Sequence, residues 1–349
     1  MFYWLGEQFA DGTLLNELLT SRIILSSLGV TLGGVCCWWL LPLLSRLLPR
    51  DRGNGLGHTS EKARGKPTGG GVIFVTIYVA VSCLVLPWKF PQIGVLVLVL
   101  LAMVSGFLDD RSPRPWGEYR KAVLDLAIAL GTALILFGGR DTTVWLPLVR
   151  QEFVVPGGVY VAIATALLWM SINATNCTDG VDGLSGSLLV LAFFYLGVML
   201  YAVIGHKDIA PYFHVPHDGS GANWGIGAFT LLGTLAGYLW YNANPSEVLM
   251  GDAGSRPLGL LLGVLVLVTG NPFLILVVAG VVLLNGGTGL VKVALLRFFK
   301  IGIFRNVRFP LHDHCRARLG WSNAQVLMRF MLLQAVLTPL LIVILLRLR

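Results

Sequence analysis

Charge is what this sequence has little of. Charged side chains make up 13% of its 349 residues and hydrophobic ones 55%, whereas a soluble domain is about a quarter charged. Mean hydropathy is +0.75, so most of the chain must be solvated by lipid. A soluble globular fold is thereby excluded, and the net charge of +8 changes meaning. In a soluble protein it would suggest a nucleic acid; here, loop charges that orient a membrane protein account for it, and no nucleic-acid partner is expected.

Cysteine is equally thin. Cys36, Cys37, Cys83, Cys177 and Cys315 form no CxxC pair and no ligand spacing with histidine, which argues against a disulfide framework or a zinc site. The sequence has no GxxxxGK[ST] loop, no GxGxxG after a strand and no GxSxG elbow. A nucleotide-driven pump, a dinucleotide enzyme and a serine hydrolase lose support accordingly. Glu7 and Asp11, rather than a basic stretch, precede the first long apolar run, so the first span is expected to stay in the mature protein. No low-complexity segment or long linker divides the chain, and a single membrane domain over residues 1–349 is expected.

What is there is a series of apolar runs. A hydrocarbon core of roughly 30 Å needs about 20 apolar residues per helix. Runs near 23–45, 70–87, 92–108, 121–138, 157–175, 183–204, 225–241, 257–270, 273–296 and 325–346, bounded by Pro, Gly or charge, predict an all-α integral membrane fold of ten spans. The ninth holds Asn285, Gly286, Gly287 and Gly289, which predicts a kink or break. An even number of spans puts both termini on one side. Alternate loops carry seventeen Lys and Arg, from Arg46 to Arg318 and with Lys62 and Arg256 among them. The opposite loops and the tail carry six: Lys89, Arg140, Arg150, Lys207, Arg347 and Arg349. The richer set is cytoplasmic by the positive-inside rule, and both termini face outward.

Acidic residues near lipid need a reason. Asp109 and Asp110 close the third span in GFLDDR, Asp179 and Asp182 sit in NATNCTDGVDGLSG, Asp252 in MGDAGS, and His312, Asp313 and His314 in PLHDH. All fall on the expected cytoplasmic side. Each has a bland reading: a solvated helix end, an N-cap, a turn, a surface histidine. Negative charge at a helix C-terminus nevertheless calls for a compensating cation, Arg111 or a metal. HxH without a third ligand is a weak zinc signal. Converging carboxylates with basic residues around them suit Mg²⁺ and a phosphate-bearing substrate, hence phosphoryl transfer.

Five motifs in order carry a resemblance over nearly the whole chain: GKPTGGG at 65–71, GFLDD at 106–110, NATNCTDGVDGLSG at 173–186, YNANPSEVLMGDAGS at 241–255, and FPLHDHCRARLGWSNAQVLMRF at 309–330. Together they resemble the polyprenyl-phosphate N-acetylhexosamine-1-phosphate transferases. The last motif is framed less like that of the UDP-GlcNAc-using members. The resemblance implies that a polyprenyl phosphate in the inner leaflet attacks the β-phosphate of UDP-MurNAc-pentapeptide, releasing UMP. It further implies ten spans, a bacterial cytoplasmic membrane and a homodimer. Asp252 is then the Mg²⁺ ligand, and Asp109, beside Asp110, is either a base toward the lipid phosphate or a covalent nucleophile. Asn176, Asp179, Asp182 and Asn242 match residues that hold the nucleoside and organise the site. Thr68 and Lys121 join the substrate-binding set, and His312 and His314 fall near the diphosphate or sugar.

The chain departs from the family pattern at three places. Asp313 replaces the middle one of the three consecutive histidines typical of the family, and Leu249 stands where an aromatic that can stack on uracil is common. The usual Lys three residues after Asp110 is missing, leaving Arg111, Arg114 or Lys121 to supply its charge. One alternative keeps the chemistry with UDP-GlcNAc or another UDP-HexNAc. A transporter or a membrane scaffold is more remote, because the carboxylates gather at span ends and a scaffold needs none.

Overall fold

Within hydrocarbon every backbone polar group must be satisfied inside the protein, so lipid-facing segments have helices or closed barrels to choose from. A computed structural model, which describes residues 1–9, 12–53, 64–87, 89–114, 116–139, 142–146, 149 and 151–347, shows helices. Asp11, Lys62, Arg140, Arg150 and Arg349, which entered the sequence reading, lie outside the described residues. Two short helices, α1 (Phe2–Gly6) and α2 (Leu14–Thr20), lead into α3 (Arg22–Leu44), α4 (Gly71–Val85), α5 (Phe90–Arg111) and α6 (Glu118–Phe137). An antiparallel hairpin, β1 (Thr142–Trp145) with β2 (Glu152–Val155), precedes α7 (Gly157–Thr178) and α8 (Leu184–Val198). The chain continues through α9 (Ile209–Tyr212), α10 (Gly221–Asn242), α11 (Asp252–Leu267), α12 (Leu274–Val278), α13 (Gly280–Val282), α14 (Thr288–Phe299), α15 (Leu311–Leu319) and α16 (Asn323–Arg347).

Among the described residues, six helical stretches are long and apolar enough to cross a membrane: Arg22–Leu47, Phe90–Arg111, Gly157–Thr178, Leu184–Ile204, Gly280–Phe299 and Asn323–Arg347. Four other expected spans are helical but fall outside that set. α4 and α11 are short, α6 carries Glu118, Arg120, Lys121 and Asp125, and α10 is rich in glycine. For α11 the physical reason is enclosure. Every residue from Ala253 to Leu267 is buried, so protein rather than lipid solvates this helix, and it can be short and carry an arginine. α11 packs against α5, α7 and α4.

That packing is close at two glycines. A Cβ on Gly106 of α5 would run into the backbone of Asp252 and Ala253, and one on Gly71 of α4 into that of Ala253 and Gly254. Only a hydrogen in the Cβ position lets α4 and α5 lie against the start of α11.

The break expected in the ninth span is present. α12 ends at Val278, α13 follows after Ala279, and a π-helical turn over Leu283–Gly287 leads into α14. The interruption frees backbone groups that water cannot reach, and α16 supplies their partners. Val281 N–H donates to Gln334 Oε1 at 3.0 Å, while Gln334 Nε2 donates to the carbonyls of Val278 at 2.9 Å and Val277 at 3.3 Å. Thr338 Oγ1 donates to Val277 O at 3.0 Å. Replacing Gln334 by Leu should therefore leave buried groups unpaired and cost about 1–3 kcal/mol, read as a lowered Tm of the full-length protein in detergent. A Gln334→Leu variant with parental Tm would show that the break needs no side-chain partner.

Candidate active site

The site begins where two helix ends meet. Asp110, next to last in α5, accepts the backbone N–H groups of Asp252 and Ala253, each at 3.0 Å. These are orphan donors of the first turn of α11, at the positive end of its dipole. Compensation for Asp110 thus comes from a helix N-terminus, and Arg111 is exposed. Asp109 faces elsewhere. It is 6% exposed, accepts the Trp116 N–H at 2.7 Å and is ion-paired with Lys121.

Lys121 also reaches Asp252 Oδ2, at 3.1 Å, so it bridges the two aspartates and stands in for the basic residue missing after Asp110. Asp252 Oδ1 accepts Asn176 Nδ2 at 3.0 Å, and Arg256 Nη2 donates to Oδ2 at 2.8 Å. Arg256 corrects the sequence reading, which placed it in a cytoplasmic loop. It lies one turn into α11, fully buried, with Asp125 of α6 at 3.5 Å and Asp109 at 3.8 Å. Asp125 was passed over as well. The available signals were an aspartate inside the expected span 121–138, four residues after Lys121, and an i,i+4 spacing of Asp252 and Arg256.

Beside this cluster opens a cavity of about 1330 Å³. Thr68, Asp110, Asn176, Asp179, Asp182, Asn242, Asp252 and His312 line it, as does Leu249; Asp109, Lys121 and His314 do not. Asp182 accepts the Ser246 N–H at 3.1 Å and lies 3.8 Å from Lys66 Nζ. Asn242 spends both ends on backbone, donating to Val248 O at 2.8 Å and accepting Gly183 N–H at 3.0 Å, so it ties two cavity loops together. Asp179 caps α7 and bears a carboxyl whose pKa is pushed well above its usual range, by burial first and then by Asp252, Asp110 and Asp182.

Arg308, Arg316 and Trp321 also line the cavity. Asp313 lies 3.5 Å from Arg316 and 3.9 Å from Arg308, so the aspartate within the histidine motif orders an arginine pair. His312, 2% exposed, donates its backbone N–H to Asn285 Oδ1 at 2.8 Å, and its Nδ1 sits 3.2 Å from the same oxygen. An amide oxygen only accepts, so Nδ1 carries the proton and Nε2 keeps its lone pair. Asn285, in the π turn, went unassigned in the sequence reading. His314 is turned away, with Nδ1 accepting the Arg308 N–H at 3.3 Å.

Among the described residues no three His, Cys, Asp or Glu side chains converge as metal ligands, which rules out a closed cage there. Mg²⁺ does not require one. It binds through one or two carboxylates, substrate phosphates and retained waters, and Asp252 and Asp179 on a polar cavity wall meet that description.

Comparison with known proteins agrees with this chemistry. Residues 92–270, from α5 to the end of α11, match the family described as Glycosyl transferase family 4. Two relatives from Treponema pallidum, one of strain Nichols and one of a second strain of subsp. pallidum, are each named phospho-N-acetylmuramoyl-pentapeptide-transferase. Both are 48% identical to this chain over 336 residues, 95% of this chain and 93% of theirs. The chain belongs to the phospho-N-acetylmuramoyl-pentapeptide-transferase family. A further member, from Nautilia profundicola, is 30% identical over 295 residues, covering 81% of this chain and 82% of its own. As a member of this transferase family the chain is an enzyme that moves a phospho-sugar, and a cavity lined by both carboxylates and arginines suits such a substrate.

Burial, opposed by Asp313 and reinforced by Arg316, lowers the pKa of His312 from 6.5 to about 4. The unfolded chain therefore binds the extra proton first as pH falls. Stability attributable to His312 is present above pH 6.5 and is lost on acidification toward pH 4, at no more than about 1.4 kcal/mol per pH unit. A His312→Gln variant should show a flatter fall of Tm between pH 6.5 and 4 than the parent. Equal slopes would remove His312 from the account.

Proposed function

We propose that this transferase moves phospho-MurNAc-pentapeptide from UDP-MurNAc-pentapeptide to a polyprenyl phosphate, giving lipid I and UMP for peptidoglycan synthesis. The observation that carries the reading is a cavity in which four of the five family motifs place carboxylates, amides and histidine together with Arg308 and Arg316. The identity to the Treponema transferases over 95% of the chain supports the muramoyl-pentapeptide donor over UDP-GlcNAc. The enzyme is a multi-pass protein of the bacterial cytoplasmic membrane.

The same reading takes one catalytic unit over residues 1–349, with α3, α4, α5, α6, α7, α8, α10, α11, the broken α12–α14 and α16 as ten spans. Both termini lie outside, the cavity opens to the cytoplasm, and two copies form a homodimer. Each of these helices lies within a few residues of an expected span, and the loop charges favour this orientation.

Asp252, with Asp179 facing the same cavity, would hold Mg²⁺, which when bound supplies charge neutralisation at the donor's diphosphate. The protein's own part is positioning. Asn176 orients Asp252, and Asp110 fixes the backbone that carries it. Lys66, Arg308 and Arg316 face the phosphates. Asp109 is the base toward the acceptor phosphate. Lys121 covers it in the free enzyme and is about 30% exposed, so it can exchange carboxylate for phosphate and uncover Asp109. The acceptor oxygen then forms its bond to the β-phosphorus as the bond to UMP breaks, and the proton goes to Asp109.

Purified enzyme with Mg²⁺ and undecaprenyl phosphate should release UMP from UDP-MurNAc-pentapeptide and not from UDP-GlcNAc. Release from UDP-GlcNAc alone would assign the chain to another surface polymer, and no release from either would refute the transferase reading. Asp252→Asn should lower kcat by about two orders of magnitude; parental turnover would take that role from Asp252.

A further inference from the structure

Arg256 is fully buried and does not line the cavity, yet three carboxylates meet it. Its Nη2 lies 2.8 Å from Asp252 Oδ2 and 3.8 Å from Asp109 Oδ2, and its Nη1 lies 3.5 Å from Asp125 Oδ1. Asp125 is 3% exposed, and among the described residues Arg256 is its ion-pair partner. Neither Nη1 nor Oδ1 of that pair has hydrogen-bond geometry. Burying a guanidinium and a carboxylate is costly, and an apolar pair of similar volume holds helices together at least as well. Packing of α6 on α11 therefore does not explain the pair.

The difference between the two cations on Asp252 does. Lys121 is a flexible point charge at the edge of the site. Arg256 is a planar fork in a closed space, and it cannot leave. When Lys121 turns to a substrate phosphate, Asp252 and Asp109 lose their shared partner, and Arg256 is the remaining charge between them. Asn176 alone, on Oδ1, would leave Asp252 free to swing.

We propose that Arg256, anchored from behind by Asp125, is a positioning residue that fixes the Asp252 carboxylate toward the cavity and holds it apart from Asp109 once Lys121 has moved. The inference rests on the reading of Asp252 as the metal ligand. Its effect reaches the reaction through Asp252, since Arg256 itself touches no substrate-accessible space.

The test is the double variant Arg256→Met with Asp125→Asn, which removes both charges of the buried pair together, so that neither is left as an orphan charge. Full-length protein in detergent is titrated with Mn²⁺ alone and followed by electron paramagnetic resonance. Tm, kcat and both KM values are measured in parallel. Expected are a near-parental Tm, Mn²⁺ affinity and kcat each lowered about 10- to 100-fold, and little change in either KM. Parental Mn²⁺ affinity and kcat in the double variant would overturn the proposal, because Arg256 would then only neutralise Asp125. Should the double variant not fold, Arg256→Lys decides. It keeps the charge but loses the fork, and it should fold with reduced kcat and Mn²⁺ affinity, whereas parental values would again overturn the role. Asp252→Asn, run alongside, separates the two readings. Parental Mn²⁺ affinity there would sink the assignment of Asp252, and weakened affinity there but not in the double variant would sink only that of Arg256.

Discussion

The whole site depends on one carboxylate closing one helix end. Asp110 sits at the C-terminus of α5, where negative charge is unfavourable, and its oxygens take the first amides of α11, where negative charge is favourable. Two unfavourable ends thus become one favourable contact. The glycines at 71 and 106 permit it by letting three helices meet backbone to backbone. Once that contact forms, Asp252 must lie at the rim of the cavity, and Asp109, next along the helix, must face the other way, toward Lys121.

Burial then decides how the remaining charges are used. α11 is enclosed along its length, so its Arg256 cannot be solvated and gathers carboxylates from α5 and α6 as well as its own Asp252. Lys121, at the edge, can serve a substrate. The division between a fixed and a movable cation follows from depth, which a count of basic residues cannot express. Asp313, also lining the cavity, pairs with Arg308 and Arg316 and orders them.

Much of this was legible before any coordinates. The ten apolar runs reappear as helices with ends shifted by a few residues, and among the described residues six helical stretches are long and apolar enough to cross a membrane. The break in the ninth run was visible in Asn285 and its glycines. Its supporting partner, Gln334, was not, since a lone glutamine in an apolar helix names no target 50 residues away. Arg256 was misplaced because a residue near a span end looks like loop when nothing shows that other helices surround it. Asp125 escaped notice because its partner is distant in sequence.

By itself the sequence determined the membrane class, the helical segments and the residue types of the site, since these depend on hydrophobicity, period and motif order along the chain. Only the tertiary structure decided which aspartate caps a helix, which faces the cavity and which is buried under a cation. It also turned His314 away while locking His312 on Asn285. The physical reason is that a carboxylate's role is set by its neighbours and its depth, and both arise when helices far apart in the chain pack together.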